Sequence, residues 1–189
     1  LRVASVVKDN NQKEDIYRKA ISKFNSDRAQ YNLAVLYLNE GKEGRAESAL
    51  AKVQSNDADV QNAKGVIALR KGDLASAESF FVKSGNEDAQ ANLGIVYILT
   101  GRYDEAVSAL KDSKGCCHNP ALAYILTDQL NKAASTIHCD CPKCWYLKAI
   151  ISAREGDADG VSANLEKAFR NQDLKKRAAT DIEFAGYEF

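Results

Sequence analysis

All five cysteines and both histidines of this 189-residue chain fall between positions 116 and 144. They read Cys116-Cys117-His118 and then His138-Cys139-Asp140-Cys141-Pro142-Lys143-Cys144. Thiolate sulfur and imidazole nitrogen bind borderline metal ions, and four of them in a tetrahedron make a structural zinc site. Cys116, Cys117, His118, His138, Cys139, Cys141 and Cys144 are the candidates, and the Cys141/Cys144 spacing suits one ion. The neighbours Cys116 and Cys117 are not the usual knuckle pair. In an oxidising compartment the same residues would instead form one or two disulfides and leave an odd thiol. A third reading is a set of reduced, partly buried small side chains without special chemistry. The residue types leave all three open. No cofactor is required, and structural zinc is not favoured over disulfide.

Catalysis has little to stand on. A Cys-x-x-Cys redox centre sits at a helix start beside a sheet, and the chain has no strand pattern. It also has no Gly-rich phosphate loop, no His-Glu-x-x-His pair and no Ser/His/Asp set. Both histidines lie among the cysteines, which leaves few ordinary acid–base candidates. The chain reads as a non-enzyme.

The elements that position these residues are helices. Only two prolines occur, Pro120 and Pro142, so long stretches are free to be helical. Apolar residues make up 45% and charged residues 28%, too apolar for disorder. Basic and acidic residues balance at 26 each, which gives no general attraction to nucleic acid or anionic membrane. The run Lys175-Lys176-Arg177 reads as a solvated helix face. No apolar run approaches the roughly 20 residues of a membrane helix. The chain contains no Met and starts at Leu1, so it reads as a fragment or a processed chain.

One local pattern recurs: a small residue followed four positions later by a large apolar one. It appears as Ala20/Phe24, Ala46/Leu50, Ala77/Phe81, Ala106/Leu110, Ala133/Ile137 and Val161/Leu165. Successive first members stand 26, 31, 29, 27 and 28 residues apart. Each pair shares a helical face, and the small member lets a neighbouring helix approach. Five residues before most pairs stands a helix stop, at Gly41, Gly72, Gly101, Asp128 and Gly156. Each unit is therefore helix, tight turn, helix, and stacked neighbours bury the faces that one hairpin cannot.

These residues carry a family resemblance. Ala91-Asn92-Leu93-Gly94-Ile95-Val96-Tyr97, followed by Gly101-Arg102-Tyr103-Asp104-Glu105-Ala106, resembles the tetratricopeptide motif. Tyr31-Asn32-Leu33-Ala34, Tyr37, Gly41 and Ala46 match it again. Gly65, Gly72, Leu74, Ala77 and Phe81 give a looser copy, and Trp145, Ala149, Gly156 and Leu165 another. The hairpin near Ala121 to Ile137 is degenerate, keeping mainly Ala121, Tyr124 and Ala133. The family repeat is about 34 residues; the copies here are shorter, so second helices or exit loops must be trimmed.

The resemblance implies an all-α, right-handed superhelical solenoid of antiparallel helix hairpins. The expected array is a half-repeat over 1–26, hairpins at about 27–57, 58–86, 87–115, 116–142 and 143–172, and a capping helix within 173–189. The half-repeat's first helix would lie around Leu1, Val3 and Val7, and Ile182 and Phe184 would cover the last hairpin. The last helix is expected over 177–186. In this family the first helices bind a partner's peptide or helix. Arg28, Asn32, Asn39, Asn62, Arg70, Asn92 and His118 alternate off their packed face here. Asn32 and Asn92 match the Asn positions of the family's carboxylate clamp, but its lysines do not line up and Asn62 is one place out of register. The clamp is not carried over.

The implied function is a protein–protein interaction scaffold for a protein or peptide partner, with no nucleic acid and no direct membrane insertion. The alternative is a rigid spacer or assembly arm. The stretch Leu174 to Phe184 resembles the end of tetratricopeptide regions in bacterial envelope proteins. It implies a periplasmic or envelope address, with the cytoplasm as the alternative. Cys116 and Cys144 occupy equivalent places just before the first helices of adjacent hairpins, about 10 Å apart when stacked. The two cysteine groups are therefore expected to meet along one edge.

Overall fold

The computed structural model describes residues 7–113 and 115–189. Among these residues it is all-helical, with twelve α-helices, one 3-10 turn and no strand. Helix α1 (Asn10–Phe24) precedes ten helices, taken two by two in chain order. These are α2 (Asp27–Asn39) with α3 (Glu43–Leu50), α4 (Ala58–Arg70) with α5 (Leu74–Ser84), and α6 (Glu87–Leu99) with α7 (Tyr103–Leu110). Then come α8 (His118–Leu126) with α9 (Leu130–Thr136), and α10 (Pro142–Glu155) with α11 (Ala158–Ala168). A short α12 (Gln172–Ala178) and a 3-10 turn (Ile182–Phe184) finish the chain. It forms two compact units, the first running to Val96 and the second starting at Tyr97.

The same turn closes all five pairs. The residue after each stop donates its N–H to a carbonyl five positions back: Lys42 to Tyr37, Asp73 to Ala68, Arg102 to Tyr97, Gln129 to Tyr124 and Asp157 to Ser152, at 2.8–2.9 Å. The stop residue itself donates to the carbonyl three back, as Gly41 does to Leu38 and Asp128 to Ile125. This pair of hydrogen bonds is the Schellman arrangement, and it needs a left-handed residue at the stop. Glycine supplies it at four turns; at the fifth Asp128 takes φ +57°, a conformation Asp tolerates better than most. Several helices are also capped at the start. Ser26, Asp57, Asp73 and Asp157 each accept the N–H three residues on.

Five of the six small/large pairs are buried: Ala46/Leu50, Ala77/Phe81, Ala106/Leu110, Ala133/Ile137 and Val161/Leu165. Fully burying each large member contributes about 1.5–3 kcal/mol. Within the first unit Gly65 on α4 meets Phe81 on α5; a Cβ on Gly65 would lie 2.5 Å from the ring. The sixth pair differs. Phe24 is 69% exposed, because it lies at the end of α1, beside the left-handed cap Asn25. Leu1 and Val3, expected in the partner helix, lie outside the described residues. The second helices are short, at 8, 11, 8, 7 and 11 residues. That is where the repeat is trimmed relative to the family length.

The C-terminus departs from the expected single helix over 177–186. Helix α12 ends at Ala178, and Asp181 restarts the chain as a 3-10 turn by accepting the Glu183 N–H. Phe184 is buried at 3% exposure and stacks edge-on against Tyr146, whereas Ile182 stays 84% exposed. Three residues of 3-10 helix turn only one side chain inward, so Phe184 covers the last hairpin without Ile182.

Candidate functional site

The second unit gathers the sulfur and imidazole donors at the starts of its two first helices. Both prolines stand there: Pro120 in the first turn of α8 and Pro142 as the first residue of α10. Proline is accommodated in a first turn, where its missing N–H has no intrahelical partner, and it fixes the entry of the chain. Cys117 caps α8 and His118 is that helix's first residue; Cys141 caps α10, and Cys144 lies within its first turn. Cys139 comes from the loop joining α9 to α10.

Cys116 and Cys144 therefore do not share the expected place before their helices. Pro142 starts α10 earlier than the repeat register suggests, which puts Cys144 inside the helix and buries it, while Cys116 is exposed. Pro142 was the available signal, since proline favours the first helical position.

The sulfurs of Cys117, Cys139 and Cys144 converge. Cys117 Sγ is 2.8 Å from Cys139 Sγ and 3.4 Å from Cys144 Sγ, and Cys139 and Cys144 are 2.8 Å apart. With a ring nitrogen of His118 they form a group whose ligand atoms all lie within 4.8 Å of one another. The other two cysteines flank the imidazole. Cys141 Sγ is 2.8 Å from Nε2 and Cys116 Sγ is 2.5 Å from Nδ1. His138 stays outside, its Nδ1 bonded to the Thr136 carbonyl at 2.9 Å.

The environment sorts these groups electrostatically. Burial pushes the Cys117 thiol up, but hydrogen bonds from Cys139, Cys144 and backbone N–H groups outweigh it and leave it at about 7. Cys141 is likewise lowered: burial opposes ionisation, while the Cys144 and Lys143 backbone N–H groups at the helix start favour it. Burial first, then its thiol neighbours, drive Cys144 strongly upward. Cys139 is raised, chiefly by its bond to Cys117. Burial and then the Lys143 charge lower the His118 pKa, so its ring is neutral at pH 7. The site holds a thiolate-favouring sulfur, two donor thiols and a neutral imidazole, all soft or borderline ligands.

The first-helix residues of the first unit form a separate, polar face. Asn62 and Asn92, from α4 and α6, bond side chain to side chain at 3.1 Å, although the repeat register sets Asn62 one place off. Asn32 is half-buried on α2 and Asn39 is exposed near its end. Arg28 pairs with Asp59 at 3.4 Å and lies over the Tyr31 ring. Arg70 is differently employed: its Nη1 donates to the Leu38 carbonyl at 2.5 Å and pairs with Glu43 at 3.2 Å. His118 belongs to the cysteine group and not to this face.

The arginine ties were missed in the sequence. In the second unit Arg154 Nη1 donates to the Ile125 carbonyl at 2.5 Å and its guanidinium grips Glu183. Arg70 and Arg154 each stand two residues before a stop glycine, and each reaches the end of the preceding hairpin's first helix. The shared Arg-x-Gly spacing was the signal.

A tetratricopeptide-repeat family model matches residues 27–60 and 87–114. Among solved structures, the chain is similar to PilF of Pseudomonas aeruginosa, with TM-score 0.69 and 16% identity over 93% of this chain and 87% of that one. It is similar to PilW, a type IV pilus biogenesis factor, with TM-score 0.67 and 16% identity over 95% and 98%. A third is YrrB, a tetratricopeptide protein with an unusual peptide-binding site, with TM-score 0.64 and 17% identity over 87% and 98%. At these identities the likeness is one of fold. The search of curated proteins gave no match.

Proposed function

We propose that this chain, which carries tetratricopeptide repeats, is a non-catalytic scaffold that holds a partner's peptide segment against the first helices of its first unit. The observation that carries this is the Asn62–Asn92 contact. Each Asn amide offers one acceptor and two donors, and their mutual bond uses one acceptor and one donor. Asn92 keeps its carbonyl oxygen and Asn62 its NH2 group, a donor and acceptor pair of the kind that grips a peptide backbone. Arg28 with Asp59 and Tyr31 adds charge and an aromatic ring beside them. The fold neighbour YrrB is a peptide binder by name, which supports the same use of this fold.

The address that fits best is the bacterial cell envelope, on the resemblance of the Leu174 to Phe184 stretch, with the cytoplasm as the alternative. No helix among the described residues is long and apolar enough to cross a membrane.

The test places a photo-crosslinking residue at Asn39, exposed on the same helix face. A discrete crosslinked partner is expected, and Asn62→Ala with Asn92→Ala weakens its binding roughly tenfold, the loss of one or two hydrogen bonds. Lys83→Ala, on the exposed side of α5, leaves it unchanged. If the Asn substitutions leave every association intact, the chain is a spacer and not a groove binder.

A further inference from the structure

We propose that Cys117, His118, Cys139 and Cys144 form a structural zinc site that ties the fourth hairpin to the fifth. The geometry points to an ion more directly than to a disulfide. Three sulfurs converge on one another at 2.8, 2.8 and 3.4 Å, and a disulfide would join two and strand the third. Sulfurs placed about 2.3 Å from a central zinc in a tetrahedron stand about 3.8 Å apart. An outward shift of about 1 Å or less per pair opens the triangle to that size. The fourth corner is available, because a His118 ring nitrogen lies within 4.8 Å of all three sulfurs.

The imidazole is set up for this role. Cys116 Sγ sits 2.5 Å from Nδ1, so the tautomer assigned to the neutral ring places its proton on Nδ1, facing Cys116. That gives Nε2 to the ion once the Cys141 Sγ, 2.8 Å from it, swings aside, the usual division between a ligating nitrogen and a nitrogen held by an outer partner. Cys116 stays as that outer partner, whereas Cys141 is the competing thiol that the ion displaces from Nε2. Each coordinated thiol gives up its proton to solvent as the ion binds.

The location gives the site a purpose. Helices α8 and α9 are only nine and seven residues long, and α9 buries Ala133 alone. Such a hairpin has little apolar surface with which to hold its neighbour. The four ligands come from the start of α8, the loop after α9 and the first turn of α10, so one ion cross-links all three segments. Zinc suits three thiolates and one imidazole in a closed tetrahedron, the ligand set of structural rather than catalytic sites.

The experiment uses the full chain, purified under reductant, stripped with a chelator and titrated with zinc alone against a competing chelator. One equivalent is expected at sub-micromolar free zinc, with a thermal midpoint raised by roughly 5 °C or more. Cobalt(II) in its place gives the intense visible bands of a tetrahedral thiolate site. Cys117→Ser and His118→Ala weaken zinc binding roughly 100-fold or more, Cys116→Ser by roughly tenfold, the low end of outer-shell losses, and Cys141→Ser leaves it nearly unchanged. Cys144 is buried and its replacement can unfold the hairpin. Cys139→Ser, in the half-exposed loop, supplies the same test and is expected to lose binding while the chain stays helical. The proposal is overturned if the reduced chain takes up no stoichiometric zinc. It is also overturned if uptake survives unchanged in Cys117→Ser and Cys139→Ser. A chain that gains two or four mass units on reduction and then ignores zinc carries disulfides instead.

Discussion

Replacing Gly65 by Ala separates helix propensity from packing, because the two effects have opposite signs at this position. In an open helix the change gains about 0.8–1.0 kcal/mol, since alanine loses less backbone entropy than glycine. Here the new Cβ would stand 2.5 Å from Phe81 Cε1, 2.6 Å from Cδ1 and 3.0 Å from Cζ. Phe81 is among the most buried large side chains in the chain, at 1% exposure, so its ring cannot step aside without moving α5. Overpacking of this kind costs about 1–3 kcal/mol. The net expectation is a destabilisation of about 1 kcal/mol, read as a lower urea midpoint by far-UV circular dichroism. A double-mutant cycle makes the reasoning sharper. Phe81→Leu lacks the Cε1 and Cζ atoms and leaves only a Cδ contact, so in that background Gly65→Ala is expected to cost less than in the unaltered chain. A clear stabilisation by Gly65→Ala in the unaltered chain would refute the close-approach argument, as would an equal effect in both backgrounds.

The arginine ties differ in burial and so in worth. The Arg154–Glu183 side chains are 27% and 24% exposed, against 41% and 34% for Arg70–Glu43. Arg154→Met is therefore expected to cost about 1–2 kcal/mol in denaturant unfolding and Arg70→Met less than about 1 kcal/mol; equal losses would remove burial as the cause. Tyr146 gives a pH signature. Its hydroxyl donates to Asp181 at 2.6 Å, and burial, followed by that bond, raises its pKa above the ordinary tyrosine value. A pKa raised on folding contributes stability that is complete below the unfolded value, about 10, and is lost as pH rises beyond it. The urea midpoint is expected to fall more steeply between pH 9 and 11, roughly one unit either side of that value, in the unaltered chain than in Tyr146→Phe. Parallel curves would count against it.

The hairpins were legible because their signals are local. A small and a large residue four apart, and a stop five before them, sit within one turn or two of each other. Ala46 to Leu50 and Gly41 need no tertiary knowledge to be found. Even the substitution of Asp128 for glycine could be read, since the stop's spacing to Ala133 is kept. What failed lay at the ends, where local signals compete. The end of the chain holds Lys175 to Ala179, which continues a helix, and Asp181, which caps a new start; the cap won and the helix stopped at Ala178. Ile182 and Phe184 are two apart, which cannot share one face of a helix or a 3-10 turn.

The candidate sites were legible by residue type and only partly by place. Clustering in sequence picked out all seven sulfur and imidazole donors, but which four converge depends on where two helices begin, and Pro142 moved α10 back far enough to bring Cys144 inward. On the polar face the sequence could mark Asn62 and Asn92 as first-helix residues, yet their register offset argued against a shared role. A bond between neighbouring helices tolerates that offset, because one residue along a helix is a rise of about 1.5 Å, within the reach of an Asn side chain. The arginines show the converse. Arg70 looked like a groove residue, since alternation off the packed face marks any long polar side chain alike. It is the partner, the Leu38 carbonyl at the end of the preceding helix, that makes it a structural tie: Gly41 N–H occupies one lone pair and Arg70 takes the other. Helix-end carbonyls with a second lone pair to spare recur at every stop in a repeat array. A search for long donors two residues before each stop would therefore find such ties from sequence, and would have separated Arg70 from the residues left to meet a partner.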